Sequence, residues 1–413
     1  MTPRRVALLG ALMVAIGPVC MALYTPAMPR IAADLGATTA QVQATLTLFF
    51  AGFALAQLVA GPLSDALGRR PVVLGFMAVF LAGSGLAMLA GDVHTLQAGR
   101  LLQGIGAAAG VTTARAIVRD LFRGEPAARI MNTIGVMLGI APAVAPTLGA
   151  LILMAADWRA TFIAMAAFGL VVTLASVLAL HETGSPDARL LHPGRVAGAY
   201  RQVLRSRHFV LATLVVAGGV GTLYAQATML PFILMDGLGL SPPAFGAAML
   251  LQSGSFLAGA LLMRVLMRRF SAYRLAALGL GLIFVGGLGE IALLWGQAGF
   301  WRIMVPVALF ALGAAFVMPA MSMAALAPFP HLAGSASALM GFSQMGFGLG
   351  VGAAASLIGD PLVALATLLP GMGAVACLAY LAHRRLPRLD LPEPRRDVLG
   401  AAPPGRSLLP DDE

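Results

Sequence analysis

The 413-residue sequence contains no lysine: all 27 of its Lys and Arg positions are arginine. That absence excludes a phosphate loop of the form GxxxxGK[ST], a Schiff-base lysine and any catalytic lysine. Charge of every kind is scarce, with Asp, Glu, Lys and Arg making up 11% of the chain, less than half of the ~25% a soluble protein carries. The two cysteines, Cys20 and Cys377, lie in apolar runs and read as inert core thiols, not a disulfide framework. The apolar runs also lack clustered His, Cys, Asp or Glu, so neither an intramembrane enzyme nor a metal site is expected. No selectivity-filter pattern supports an ion channel. What the sequence has in excess is apolar surface: 59% hydrophobic residues and a mean hydropathy of +0.88. Such a chain cannot cover itself with water-compatible groups, which makes it a polytopic membrane protein.

A helix that crosses a bilayer needs about 20 mostly apolar residues. The chain divides into twelve such runs, at 6–25, 42–63, 71–91, 96–116, 130–153, 159–180, 209–232, 243–264, 274–295, 302–325, 333–358 and 361–382. The first follows Arg4 and Arg5 as a signal peptide would, but it continues to Tyr24 and eleven spans follow it. The net charge of +10 does not point to nucleic acid, because the arginines punctuate the apolar runs and act as topology signals. With a cytoplasmic N-terminus, only Arg30, Arg159 and Arg302 fall outside; Arg100 and Arg115 lie within span 4, and the other 22 flank or occupy cytoplasmic segments. Both chain ends are therefore expected in the cytoplasm of a bacterial cell, with the protein in its inner membrane.

Residues 181–208 form a polar, arginine-rich stretch that divides the spans six and six, and Val196 to His208 has the character of a basic helix on an anionic leaflet. The expected organisation is an N-terminal six-helix bundle (1–180), a cytoplasmic linker (181–208), a C-terminal six-helix bundle (209–382) and a disordered Pro- and Arg-rich tail (383–413). A weak internal repeat agrees. At an offset near 200, Tyr24 matches Tyr224, Asp34-Leu35-Gly36 matches Asp236-Gly237-Leu238-Gly239, and Gly61…Arg69-Arg70 has a degraded echo in Gly259…Arg268-Arg269. Duplicated halves around a midplane cavity are how secondary transporters are built.

Between spans 2 and 3 the chain reads Gly61-Pro62-Leu63-Ser64-Asp65-Ala66-Leu67-Gly68-Arg69-Arg70-Pro71. Gly68 suits a reversal and Pro71 the first turn of a helix; Asp65 could accept helix N-terminal N–H groups, and the two arginines could pair with lipid phosphate or a carboxylate. An ordinary positive-inside loop explains the same residues from spacing alone. The segment closely resembles the signature between spans 2 and 3 of the major facilitator superfamily. Arg100-Leu101-Leu102-Gln103-Gly104 resembles its RxxQG signature in span 4. The run Gly135…Gly139…Pro142…Pro146…Gly149 resembles the span 5 signature of its proton-coupled exporters. Tyr24-Thr25-Pro26-Ala27-Met28-Pro29, Ala114–Asp120 and Ala333–Ala338 resemble the Bcr/CflA drug-efflux subfamily. Gly104-Ile105-Gly106 lies inside an apolar helix with no strand before it, so it is not a dinucleotide loop.

The resemblance implies an all-α membrane protein of twelve helices in two pseudo-symmetric bundles. It implies no enzyme, but a drug–proton antiporter that exports antibiotics or related metabolites by alternating access, as a monomer. A metabolite importer or facilitator on the same fold is the alternative. The residues Gly61, Asp65, Gly68, Arg69 and Arg70 would form a conformational latch, with Asp120 and Glu125 as partners. Arg100 and Gln103 would serve proton coupling, and Gly135, Gly139, Pro142, Pro146 and Gly149 would bend span 5 and let the halves pack closely. For Arg100, snorkelling to the interface competes with that role. The family's span 1 acid, two residues before the tyrosine, is Ala22 here, so the proton-carrying group is unassigned. Glu290, near the outer end of span 9, is expected to be interfacial or structural. With arginine the main inner charge, neutral or anionic amphiphiles are favoured over cations as substrates. Candidate cavity residues are Tyr24, Asn132, Tyr224, Gln226, Gln252, Ser322 and Gln344, each with interhelical hydrogen bonding as the competing role. Gly346, Gly348, Gly350 and Gly352 in span 11 should make a smooth packing surface. Reporter fusions at residues 1 and 413 should both report a cytoplasmic location; one periplasmic signal would invert or break the topology.

Overall fold

The computed structural model describes residues 1–122, 124–184, 186–187, 192–329 and 332–387; the side chains of 124, 125, 128, 132 and 135–143 fall outside the description. No strand occurs among the described residues. In the first bundle, α1 (Pro3–Tyr24) runs through a 3₁₀ turn (Thr25–Ala27) into α2 (Met28–Asp34), and these form one crossing. It continues with α3 (Thr39–Leu67), α4 (Arg69–Met88), the pair α5 (Val93–Ala107) and α6 (Ala109–Leu121), α7 (Gly124–Ala155) and α8 (Arg159–Ala179). After α9 (Pro193–Leu204), the second bundle starts with α10 (Arg207–Pro231), which ends in a π-helical turn (Phe232–Gly237). Then come α11 (Pro242–Leu266), α12 (Ala272–Ile291) with a 3₁₀ turn (Ala292–Leu294), α13 (Phe300–Leu326), α14 (Ala333–Ile358) and α15 (Pro361–Arg384). Among the described residues, 11 of these crossings are long and apolar enough to span a bilayer. The 32-residue α7 supplies the other, with an apolar described stretch at Val144–Ala155.

The observed helices overrun several expected ends. The first crossing continues to Asp34 and α3 reaches Leu67, because Gly68 alone serves as the turn. The linker helix is Pro193–Leu204, and His208 belongs to α10. His383 and Arg384 complete α15, so the expected tail begins later; 388–413 lie outside the described residues. Side chains set the starts. Thr38 and Gln41 make a reciprocal capping box on α3, Asp92 accepts from the His94 and Thr95 N–H groups, and Asp360 accepts from Leu362 and Val363. Each satisfies orphan donors that no neighbouring turn can reach. The repeat shows in the turns: Gly36 (φ +58°) and Gly239 (φ +70°) close the two matching segments in the left-handed conformation that favours glycine.

The bundles meet along α3–α14 and α7–α11. Gly341, Gly348 and Gly352 lie seven and four residues apart, on one helical face. A Cβ there would meet Gln57 at Gly341, Tyr224 (3.0 Å) at Gly348 and Thr47 Oγ1 (2.6 Å) at Gly352. Gly346 and Gly350 face open space, so the packing surface expected from four glycines uses two of them together with Gly341. At the face opposite the chain ends, α2 touches the Phe232–Gly237 turn, and Thr147 Oγ1 donates to the Gly246 carbonyl at 3.3 Å. Large side chains such as Leu55, Leu178, Leu257 and Leu357 are exposed on the perimeter, where lipid replaces water.

On the face shared by the chain ends, α9 ties the halves together. It packs against α14 and α10, and its Tyr200 hydroxyl donates to the Leu58 carbonyl of α3 at 2.5 Å. That carbonyl is free for a physical reason: its helical partner four residues on would be Pro62, which has no N–H. Burial pushes the Tyr200 hydroxyl up to about 12, so it keeps its proton at neutral pH. Tyr200→Phe should weaken linker docking by ~1 kcal/mol, read as faster hydrogen exchange confined to α9; unchanged exchange would rule the contact out as a tether.

Candidate functional site

Arg100 lies on α5 about two turns beyond its start at Val93 and is fully buried. It does not snorkel. Its guanidinium carbon lies 4.5 Å from the Tyr24 ring centroid and 4.3 Å from that of Phe49. Nη1 donates to Gln103 Oε1 at 2.7 Å. Gln103 Nε2 in turn donates to Ser84 Oγ at 2.8 Å, and Ser84 donates to the Phe80 carbonyl at 2.8 Å. Tyr24 shares a 2.6 Å hydrogen bond with Thr45 Oγ1, which itself donates to the Val42 carbonyl, so the tyrosine is the donor. Arg100 Nε and Nη2 have no hydrogen-bond partner among the described residues. The cage is possible because Gly104, one turn on, lets α5 press against the Phe49 carbonyl of α3. Desolvated cation–π contacts are worth about 2 kcal/mol each, against several for drying an ion. The arginine is therefore a fixed, fully buried cation with no ion-pair partner among the described residues, and guanidinium does not release its proton in a protein.

The residues of the α3–α4 turn form a second cluster, on the face where α1 begins and α15 ends. Arg69 pairs with Asp65 through Nη1 and with Asp120 through Nε at 3.0 Å, and Nη1 also reaches Ser64 Oγ at 3.1 Å. Asp120 was expected there; the side chain of Glu125 lies outside the description. Asp65 does not cap the next helix. That position is taken by Glu182, just after α8, which accepts the Arg69 N–H at 2.8 Å and the Arg70 N–H at 3.2 Å. Arg70 Nη2 donates to the Val177 carbonyl at 3.0 Å. Gly68 has φ +100°, and a Cβ on it would meet Glu182 Oε2 at 2.5 Å, so the turn needs glycine for both conformation and space. Gly61 sits inside α3 facing open space and makes no part of this cluster. Sequence reasoning missed Glu182; its signal was an acid in the first polar residues after a span, level with the preceding loop.

The second bundle holds a different polar chain. Gln252 Nε2 on α11 donates to Gln226 Oε1 on α10 at 2.5 Å, and Gln226 Nε2 donates to Glu290 Oε1 on α12 at 3.5 Å. Glu290 is fully buried and its Oε2 has no partner among the described residues. This corrects the interfacial placement expected of it: the side chain turns inward from the last turn of α12. Of the cavity candidates, Tyr224, Gln252, Ser322 and Gln344 are partly exposed, whereas Tyr24 and Gln226 are sealed. Tyr224 stacks obliquely on Phe50 across the seam at 5.8 Å. Asn132, Gly135, Gly139 and Pro142 lie outside the described side chains. Pro146 and Gly149 are buried, and a Cβ on Gly149 would meet the Leu23 carbonyl and, at 2.9 Å, Pro26, which places α7 hard against the end of α1.

The family model of the Major Facilitator Superfamily matches residues 10–353. Multidrug resistance protein D of Escherichia coli (strain K12) is 29% identical over 379 residues, covering 90% of this chain and 94% of that one. The MFS-type transporter YdgK of Bacillus subtilis (strain 168) is 32% identical, with 81% and 84% covered. A chloramphenicol resistance protein of Pseudomonas aeruginosa is 32% identical, with 77% and 76% covered. Among solved structures, a D-xylose–proton symporter superposes with a TM-score of 0.66 at 14% identity, covering 92% of this chain and 97% of that one. At that identity the likeness speaks for the fold alone.

The Glu182 clasp has a definite pH signature. Burial alone would raise its carboxyl, but the N–H groups of Arg69, Gly184, Arg70 and Thr183 outweigh that and hold it below the usual range. A carboxyl lowered on folding adds stability that is complete above its unfolded value of about 4.3 and is lost as pH falls through the folded value. Glu182→Gln should thus lower thermal stability near neutral pH by ~1 kcal/mol or less, since the carboxylate is exposed to solvent, and the gap to the parent should close in acid. A gap that is independent of pH would show that the charge is not what holds the turn.

Proposed function

The chain belongs to the major facilitator superfamily, and on that footing we propose that it is a secondary active exporter of small amphipathic molecules, antibiotics or related metabolites, driven by proton antiport. The observation that carries this reading is Arg100. A cation without a counter-acid, held dry among Tyr24 and Phe49, makes the packing of its bundle depend on any proton or anion that arrives nearby. Gln103 keeps the guanidinium aimed, and its bond to Ser84 links that orientation to α4. The names of the relatives, multidrug and chloramphenicol resistance, support export of drug-like solutes.

The moving units are residues 1–180 and 209–382, rocking about the glycine-lined α3–α14 seam as a monomer in the bacterial inner membrane, with both chain ends in the cytoplasm. The Asp65–Arg69–Asp120–Glu182 cluster, with Gly68 and Arg70, acts as the latch of the first bundle and does not touch solute. Tyr224, Gln252 and Gln344 are the chain's candidate solute contacts, because they are polar and partly exposed on helices of the central seam or beside it; the Ser322 hydroxyl is buried. Solutes are neutral or anionic: Arg100 supplies positive potential to the first bundle, and the buried acid of the second is closed off by Gln226 in this state.

The deciding measurement is transport in proteoliposomes under an imposed pH gradient, with chloramphenicol as the neutral probe and ethidium as the cationic one. Gradient-driven accumulation of chloramphenicol is expected, and ethidium should be the poorer substrate. Uptake indifferent to the gradient would instead make the protein a facilitator. Arg100→Ala should reduce coupled transport by at least about tenfold while the protein stays monodisperse and helical; undiminished coupling would remove Arg100 from the mechanism.

A further inference from the structure

Proton antiport needs a group that gains and loses a proton once per cycle, and Arg100 cannot be that group. We propose that Glu290 carries the proton: it is protonated in the state described here, and it is solvated and ionised in the opposite state. This deepens the exporter reading and rests on it. The geometry is specific. Glu290 has no exposed surface, Oε2 faces no donor, and Oε1 is met only by the long 3.5 Å bond from Gln226. The surrounding end of the bundle is apolar, formed by Ala225, Met229, Leu293, Met304, Val307 and Leu369. An ionised carboxylate placed there would be an isolated dry charge, which neutralises by binding a proton.

No charge on the packed helices offsets it. On α13 the ionisable residue is Arg302, and its guanidinium is spent on the carbonyls of Gln297, Ala292 and Trp295 at 2.7–3.0 Å. On α15, Cys377 lies against the Leu280 carbonyl, some 15 Å of helix from position 290. Tyr380 and His383 bond to Tyr273 at the other end of α12, beside Arg274 and Arg384. On α11, Arg264 stands at that same far end. On α10, Tyr224 packs on Phe50, while Arg207 and His208 begin the helix. In the turn after α10, Asp236 is an acid and supplies no counter-charge. None of these makes a hydrogen bond or ion pair with Glu290.

The route out is also visible. Gln226 bridges Glu290 to Gln252, which is partly exposed on α11. A shift of α10 that breaks the 3.5 Å bond would let water reach the carboxyl along the same line. The step balances simply: the carboxyl gives its proton to water, leaving carboxylate and hydronium on one side, and takes one back from water on the other, with no electron moved.

The test uses full-length protein in proteoliposomes. Glu290→Gln mimics the protonated form, so it should keep chloramphenicol exchange in the absence of a gradient while losing at least about tenfold of gradient-driven accumulation. Glu290→Asp should keep coupling with a displaced pH profile. Independently, infrared difference spectra between acid and alkaline pH should contain a protonated-carboxyl band that Glu290→Gln removes. Normal gradient-driven accumulation by Glu290→Gln, or an unchanged band, would overturn the proposal. Should the parent protein show no gradient dependence, the exporter reading fails, and the infrared band still decides whether Glu290 titrates.

Discussion

The cost of holding a charge away from water governs this structure. In the hydrocarbon layer every backbone polar group must be satisfied within its own helix, and every ionised side chain must find a partner, a hydrogen bond or a proton. The chain obeys with few exceptions, which makes the exceptions informative. Leu58 loses its helical donor to Pro62, and Tyr200 replaces it from a different element. Arg69 is enclosed but shared between Asp65 and Asp120. Arg100 and Glu290 are the Arg and Glu side chains that retain buried atoms with nothing to bond among the described residues, beside His383 and neutral groups such as Gln43, Gln57, Thr113, Trp158, Thr213 and Ser322.

Most of the architecture was legible in the sequence because lipid enforces it so strictly. Twenty-residue apolar runs punctuated by arginine leave little freedom, and the observed crossings fall where those runs lie. What could not be read was the side chain's direction at a helix end. Glu290 and Arg100 both stand near the boundary of an apolar run, where sequence permits either an outward turn to the interface or an inward turn to the core. Packing decides, and packing is set by residues far along the chain: Gly104 against Phe49 for one, Gln226 for the other. Glu182 was missed for a related reason. Its role depends on a helix start 113 residues earlier, and no local pattern encodes that pairing. The glycines of α14 were read as one surface, but only those spaced by whole turns share a face.

The two bundles are similar in path and different in chemistry. The first closes its α3–α4 turn with ion pairs and an acid on the next helix start. The matching turn of the second, with Arg268 and Arg269, is exposed and meets no carboxylate among the described residues. The paired turn responds to whatever neutralises Asp65 or Asp120, whereas the second turn has no paired carboxylate among the described residues to neutralise. The asymmetry fits the proposal of a latch at that face of the first bundle and of a titrating group in the second.

The permanent cation lies on α5 of the first bundle and the buried acid on α12 of the second. Neither can be exchanged for the other. Guanidinium stays charged at any physiological pH, so it can hold a bundle in one electrostatic condition but cannot count protons. A carboxyl in an apolar pocket passes between two conditions, each stable only in its own surroundings, and water access switches it. In the proposed cycle the two kinds of group sit in opposite halves, so that one half would provide a steady potential while the other registers the proton.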